Sequence, residues 1–325
     1  MAKKQRTLDE LRAEIDRIDA ELHQLMIARA AVADEVRHAK GEPKISVRPA
    51  REARILYTLV ERHTGAFPKP ILIKIWRELM AGMLSLEGPF FVAVYCPENE
   101  AGYIDLARDQ YGTFTPLSRH ATVSGVIDAV RNEDASLGIL PFPNHDGAAG
   151  WWRHLMTPDS PKVVCRLPFF GPANTPGSQL EAMVICKNAA GESGRDRSLI
   201  AFELSARVSL GRLRSVFEDH GLPAEILIDR SKNASDDIYL ADIEGYVEAD
   251  DERLVQVNET LKDAIGWFAF LGAYGTPLTA EELASDSAVR RGVDRRRKPR
   301  ESSDRRTRDV GVAGRKSKSA AQKKS

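Results

Sequence analysis

Residues 7–40 read TLDELRAEIDRIDAELHQLMIARAAVADEVRHAK, without a proline or glycine. Apolar residues fall at Leu8, Leu11, Ile15, Ile18, Leu22, Leu25, Met26, Val32 and Val36, mostly in steps of three and four. That is the period of a helix. Thr7 with Glu10 makes a capping box at its start, and Gly41 followed by Pro43 makes its stop. At 1.5 Å rise per residue the helix runs roughly 50 Å. One small core cannot cover that length, so the helix is expected to pack against a second copy of itself or against further helices.

Three cations on this helix stand out: Arg12, Arg29 and Lys40. Arg29 and Lys40 are close to three whole turns apart, so they share a face with backbones roughly 16 Å from each other. Two long cationic side chains leaning together on that face can grip one small dianion. Arg12 lies on another face, roughly 25 Å from Arg29. Two antiparallel copies of the helix bring all three to one ligand more easily than one copy does. Taken singly, each cation reads as a solvated helix charge.

Working outward, Pro49 to His63 reads as a second helix, with Pro49 where a missing N–H costs nothing. Pro70 to Glu87 reads as a third, ending before Gly88-Pro89. The first ninety residues therefore hold one long and two shorter helices. From Pro89 the pattern changes to β-α-β-α-β, carried by FFVAVY, Gly102–Tyr111, TFTPL, Val123–Asn132 and SLGILPF, with VVCRLPFF and EAMVICK as further strands. This order suggests a parallel α/β lobe. From Ser198 the order becomes β-α-β-β-α-β within about 75 residues, the split-βαβ pattern. The expected division is 1–89, 90–190, 196–276 and a tail from 285 to 325.

The chain of 325 residues is 42% hydrophobic and 29% charged, a globular composition with room for two or three domains. No apolar run of eighteen occurs and no signal peptide is recognisable, so the expected location is the cytoplasm. Cys96, Cys165 and Cys186 form neither a disulfide framework nor a zinc pattern, and the seven histidines show no ligand spacing. No metal or cofactor is expected. The zero net charge hides an asymmetry: residues 289–325 carry 15 Lys or Arg against 4 Asp or Glu, an excess of +11, so the rest carries −11. That tail has almost nothing to bury and is expected to be disordered. It reads as a solubilising tail, with no specific nucleic acid or membrane partner implied.

Residues 8–89 resemble the all-helical type of chorismate mutase, of the kind fused ahead of prephenate dehydratase. The resemblance is carried in order by LRAEIDRIDAELHQLMIAR, AVADEVRHAK, RPAREARIL and IWRELMAGMLSLEGP. It implies an intertwined helical dimer that rearranges chorismate to prephenate. A pericyclic reaction needs no nucleophile, metal or redox group. It needs a clamp for the reactive conformer and donors where negative charge grows on the ether oxygen. Arginine forks suit the two carboxylates. The resemblance assigns Arg29 and Arg51 to the carboxylates, and Lys40 to the ether oxygen and a carboxylate. It assigns Glu52 to the substrate hydroxyl, Glu87 to the ether oxygen, and Arg12 to the neighbouring subunit's site. Two positions depart from the pattern: Arg48 stands where some members have Asp, and Met83 where some have Ser. Both imply retuned binding rather than loss.

Behind the helices, VAVYCPENEAG and SLGILPFPNHDGAAG resemble half of a prephenate dehydratase in degraded form. Asn144 and Gly147 match its loop, while Pro143 and His145 replace a Glu and a Ser, and the family's Thr-Arg-Phe motif is absent. Residues 198–275 resemble an ACT domain whose phenylalanine-binding loops are replaced, with Arg230 alone kept. The function implied is a chorismate mutase of aromatic amino acid synthesis with a remnant dehydratase lobe. One rival is a working bifunctional mutase/dehydratase. The other is a non-catalytic regulatory partner of another enzyme of the same pathway.

Glu87 carries a testable consequence. A carboxylate beside an oxygen gaining negative charge repels it, and helps only when protonated, as a hydrogen-bond donor. Mutase activity is expected to rise toward mildly acidic pH, and Glu87→Gln to flatten that rise. A wild-type profile flat between about pH 5 and pH 8 contradicts this role.

Overall fold

The computed structural model describes residues 6–39, 47–98, 102–143, 150–171, 180–188, 191–204, 208–227, 238–262 and 264–284. Lys40, Asn144, Gly147, Arg230 and the basic tail lie outside these residues. Three helices open the chain: α1 (Leu8–Ala39), α2 (Pro49–Arg62) and α3 (Lys69–Glu87). The capping box forms at α1, where Thr7 N donates to Glu10 Oε2 at 2.7 Å and Glu10 N to Thr7 Oγ1 at 3.3 Å. Pro49 sits in the first turn of α2, where its missing N–H leaves no intrahelical bond unmade.

The three helices are seated very differently. α2 buries Ala53, Leu56, Tyr57 and Val60, and α3 buries Ile73, Arg77, Met80, Ala81 and Leu84, each set at helical spacing. Tyr57 Oη donates to the carbonyl of Thr276 at 2.6 Å and its ring lies 5.8 Å from that of Phe169, so α2 is pinned to the rear of the chain. α1 buries nothing. Its apolar stripe is open to solvent, with Ile15 57%, Leu22 54% and Leu25 66% exposed. Between α1 and α3 runs an apolar groove of about 810 Å³, walled by Leu22, Leu25 and Met26 on one side and Ile71, Ile75 and Leu79 on the other.

The strands are β1 (Val92–Tyr95), β2 (Leu117–His120), β3 (Leu137–Pro141), β4 (Lys162–Leu167), β5 (Ala182–Cys186), β6 (Asp196–Leu204), β7 (Ala224–Leu227), β8 (Ile238–Glu244) and β9 (Ile265–Gly275). Helices α4 (Gly102–Tyr111) and α5 (Val123–Arg131) lie among the first of them, and α6 (Leu210–Asp219) and α7 (Glu252–Thr260) among the last. All nine strands join one sheet in the order β2-β1-β3-β5-β4-β9-β6-β8-β7. β1 pairs parallel with β2 and β3, but β5 runs antiparallel to both β3 and β4. The parallel lobe expected from the sequence is therefore mixed. No crossover helix is found among the described residues between β4 and β5, and without one a strand returns antiparallel.

The last four strands, with α6 and α7 between them, follow the order β-α-β-β-α-β, and they lie in the sheet as β9-β6-β8-β7. One parallel contact joins them to the preceding strands: β4 meets β9 where Val163 faces Gly272. Gly272 has φ +141°, and a Cβ there would lie 2.1 Å from the Val163 carbonyl oxygen. Only glycine allows the two backbones to approach this closely. Gly272→Ala should destabilise the chain by about 2–4 kcal/mol. Gly211→Ala, in α6 with open space around it, should cost nothing. Chemical denaturation checks both. Equal midpoints for the two variants would contradict the importance of the β4–β9 contact.

Candidate active site

The turn that opens α2 decides the site. Arg48 precedes the helix, and Arg51 and Glu52 fall in its first turn. α1 passes in front of this turn and α3 lies behind it. Six of the eight residues singled out from the sequence meet there. A pocket of about 310 Å³ is lined by Arg29 from α1, by Arg48, Arg51 and Glu52, and by Met83 and Glu87 from α3. Val32, Val36, Ile55, Met80 and Leu84 form its apolar wall. The volume sits at the small end of ligand pockets, roughly 300–1,000 Å³.

Its electrostatics favour an anion. The Arg29 guanidinium is held below its ordinary pKa, first by partial burial and then by the positive charge of Arg51. Two cations that repel each other across a pocket are stabilised by a negative charge placed between them. Glu52 does not cancel them. Its Oε2 accepts from Arg77 Nη1 at 2.8 Å, in a pair whose side chains are 14% and 3% exposed. Burial raises the Glu52 carboxyl above its usual range, and Arg77 works against that rise.

One expected residue, Arg12, does not line this pocket. Arg12 is exposed and pairs with Asp9 of its own helix at 3.2 Å. Lys40 lies outside the described residues, immediately beyond the end of α1 at Ala39. One residue was missed, Arg77. It occupies the phase of the buried stripe of α3, four residues after Ile73 and three before Met80, and a cation in an apolar stripe was the available signal.

Arginines and carboxylates set among three helices, over an apolar wall, make a pocket suited to a small anion. The comparisons narrow this further. A family model described as chorismate mutase type II matches residues 11–88. The chain is 31% identical over 142 residues to the bifunctional chorismate mutase/prephenate dehydratase of Aquifex aeolicus, covering 42% of this chain and 39% of that protein. It is 33% identical over 149 residues to the protein of the same description from Neisseria gonorrhoeae, covering 44% and 41%. The chain thus spans about two fifths of the length of these relatives. Among solved structures, a prephenate dehydratase from Streptococcus mutans aligns with a TM-score of 0.41 at 16% identity, over 57% of this chain and 97% of that one.

The paired arginines predict a measurable response to dianions. At about ten times its dissociation constant a small dicarboxylate such as malate should add about 1.4 kcal/mol of stability. Thermal melts of the wild type should show this, and Arg29→Ala and Arg51→Ala should lose it. Equal shifts in all three proteins would contradict an anion site here.

Proposed function

We propose that the chain is a chorismate mutase. It would catalyse the intramolecular rearrangement in which the ether C–O bond of chorismate breaks as a new C–C bond forms, giving prephenate. No atom is gained or lost, and no cofactor is called for. The observation that carries the reading is the meeting of Arg29, Arg51, Glu52 and Glu87 in one small pocket, within the segment that matches the mutase family.

In this reading Arg29 and Arg51 hold the two carboxylates and so fix the folded conformer from which the bonds exchange. Lys40 donates to the ether oxygen as it gains charge, with Glu87 beside it. Glu52, ionised, accepts from the ring hydroxyl. Its other oxygen is engaged by Arg77, which orients it. Arg48 and Met83 are secondary contacts. The apolar wall excludes water and leaves the carboxylate clamps as the main polar partners.

The working unit would be a homodimer. Its support is the apolar stripe of α1, none of whose residues is buried among the described residues, and the adjoining groove against α3. Arg29 and Met83 line both this groove and the pocket. A partner helix lying in the groove would therefore close the pocket as well, and would bring its own Arg12 to it. Residues 1–89 would be the mutase domain and 90–190 a degenerate dehydratase-like lobe. Residues 196–276 would be an ACT-like domain, a reading supported by the strand order β9-β6-β8-β7. No described helix is long and apolar enough to cross a membrane.

Two experiments test this. Arg29→Ala should abolish loss of chorismate, and unchanged turnover would instead favour a non-catalytic role. Arg12→Ala and Arg29→Ala chains should each be inactive alone. Unfolded together and refolded, they should regain about a quarter of the wild-type rate, because half the dimers are mixed and each has one complete site. No recovery would contradict sharing of Arg12 between chains.

A further inference from the structure

Arg77 is 2% exposed, on the face of α3 turned toward the rear of the chain. Its guanidinium is gripped from two sides. On one it donates to Glu52 Oε2 in the pocket at 2.8 Å. On the other, with the Gln110 amide in the orientation that satisfies both its ends, Gln110 Oε1 accepts from Arg77 Nη2 at 2.9 Å and from Nη1 at 3.1 Å. Gln110 is 4% exposed, on α4. The ring of Phe169, just after β4, lies 5.1 Å beneath the guanidinium carbon. Arg77 Nε is buried without a partner among the described residues.

Stability does not explain this arrangement well. A buried ion pair roughly breaks even against well-packed apolar residues, and an unpartnered buried N–H is a cost. The pair does accomplish one thing. Burial disfavours the charged form of Glu52, and the guanidinium opposes that in the residue that faces the ligand pocket.

We propose that Arg77 is a positioning residue for the mutase pocket, holding Glu52 as an oriented carboxylate, and that Gln110 and Phe169 of the α/β lobe hold Arg77. The rear lobe is then part of the mutase site, whatever other activity it has or lacks. This rests on the mutase reading and deepens it. The groups that face Glu52 are Arg77 and Glu87 from α3, Tyr111 from α4, Cys165 from β4 and Arg29 from α1, besides Arg48 and Arg51 on its own turn. Burial pushes the Tyr111 hydroxyl well above its usual range and the Cys165 thiol up to about 12, so both are neutral across the working pH range. Arg77 is then the buried counter-charge to Glu52. Without it Glu52 takes up a proton at higher pH, and activity falls on the acid side, reversing the rise toward acid expected of the wild type.

The test uses the full chain and measures chorismate consumption against pH, with melting temperature alongside. Arg77→Met should fall about ten- to a hundredfold in kcat/KM near neutral pH, and recover part of the loss as pH rises. Arg77→Lys should restore most of the activity and the wild-type acid limb. Gln110→Leu should shift the limb in the same direction by less. Should Arg77→Met fail to fold, Arg77→Lys and Gln110→Leu carry the test by their limbs alone. Unchanged limbs in folded variants, with activity unaffected or lowered equally at every pH, would overturn the proposal while leaving the mutase reading intact. A wild-type chain that leaves chorismate untouched would overturn both.

Discussion

A helix of 32 residues that buries none of its side chains sets the terms for the rest of the molecule. Its apolar stripe would hold back folding in water unless something covers it, since each exposed large side chain forgoes about 1.5–3 kcal/mol of burial. The other two helices are already committed. α2 is fixed to the sheet through Tyr57, and α3 carries Arg77 into contact with α4. Among the described residues of the three front helices, α1 and the groove beside it are left to receive a partner. On the proposed reading a second α1 occupies that groove, and the ligand pocket is completed by the same event that covers the stripe.

The pocket itself is a balance of charges that pure packing would not choose. Arg29 and Arg51 stand close enough for one to lower the pKa of the other. Glu52, between them and the core, is not free to neutralise both, because its Oε2 is taken by Arg77. The site is therefore left short of negative charge on its ligand side. On the proposed reading a compact dianion supplies that charge, and a rearrangement with no nucleophile and no leaving group asks for little more than such a clamp. The same Arg77 joins the pocket to the α/β lobe, alongside Tyr57, which ties α2 to the rear of the chain.

Much of this was legible in the sequence, for identifiable reasons. The α1 period, its capping box and Pro49 are local signals, and local geometry obeyed them. The meeting of Arg29, Arg51, Glu52 and Glu87 is not local, since they come from three helices. Spacing along α1 alone paired Arg29 with Lys40, and the family resemblance was needed to bring in the other two helices. Arg77 escaped because a lone arginine on a helix ordinarily faces solvent, although its phase with Ile73 and Met80 marked it as buried. The mixed sheet escaped for a different reason. β3 and β5 are both buried at every residue, and a strand buried on both faces reads the same whichever way its neighbour runs. The joining of nine strands into one sheet turns on Gly272, which in the sequence is only a glycine among apolar residues.

Identifying the product tests the central claim most directly. The purified full chain is incubated with chorismate, and the products are separated and quantified over time. A clamp of arginines around a pericyclic reaction predicts prephenate in one-to-one yield with chorismate consumed, without added metal or cofactor, and no build-up of phenylpyruvate. Chorismate recovered unchanged at high enzyme concentration would contradict the reading of this pocket as a mutase site.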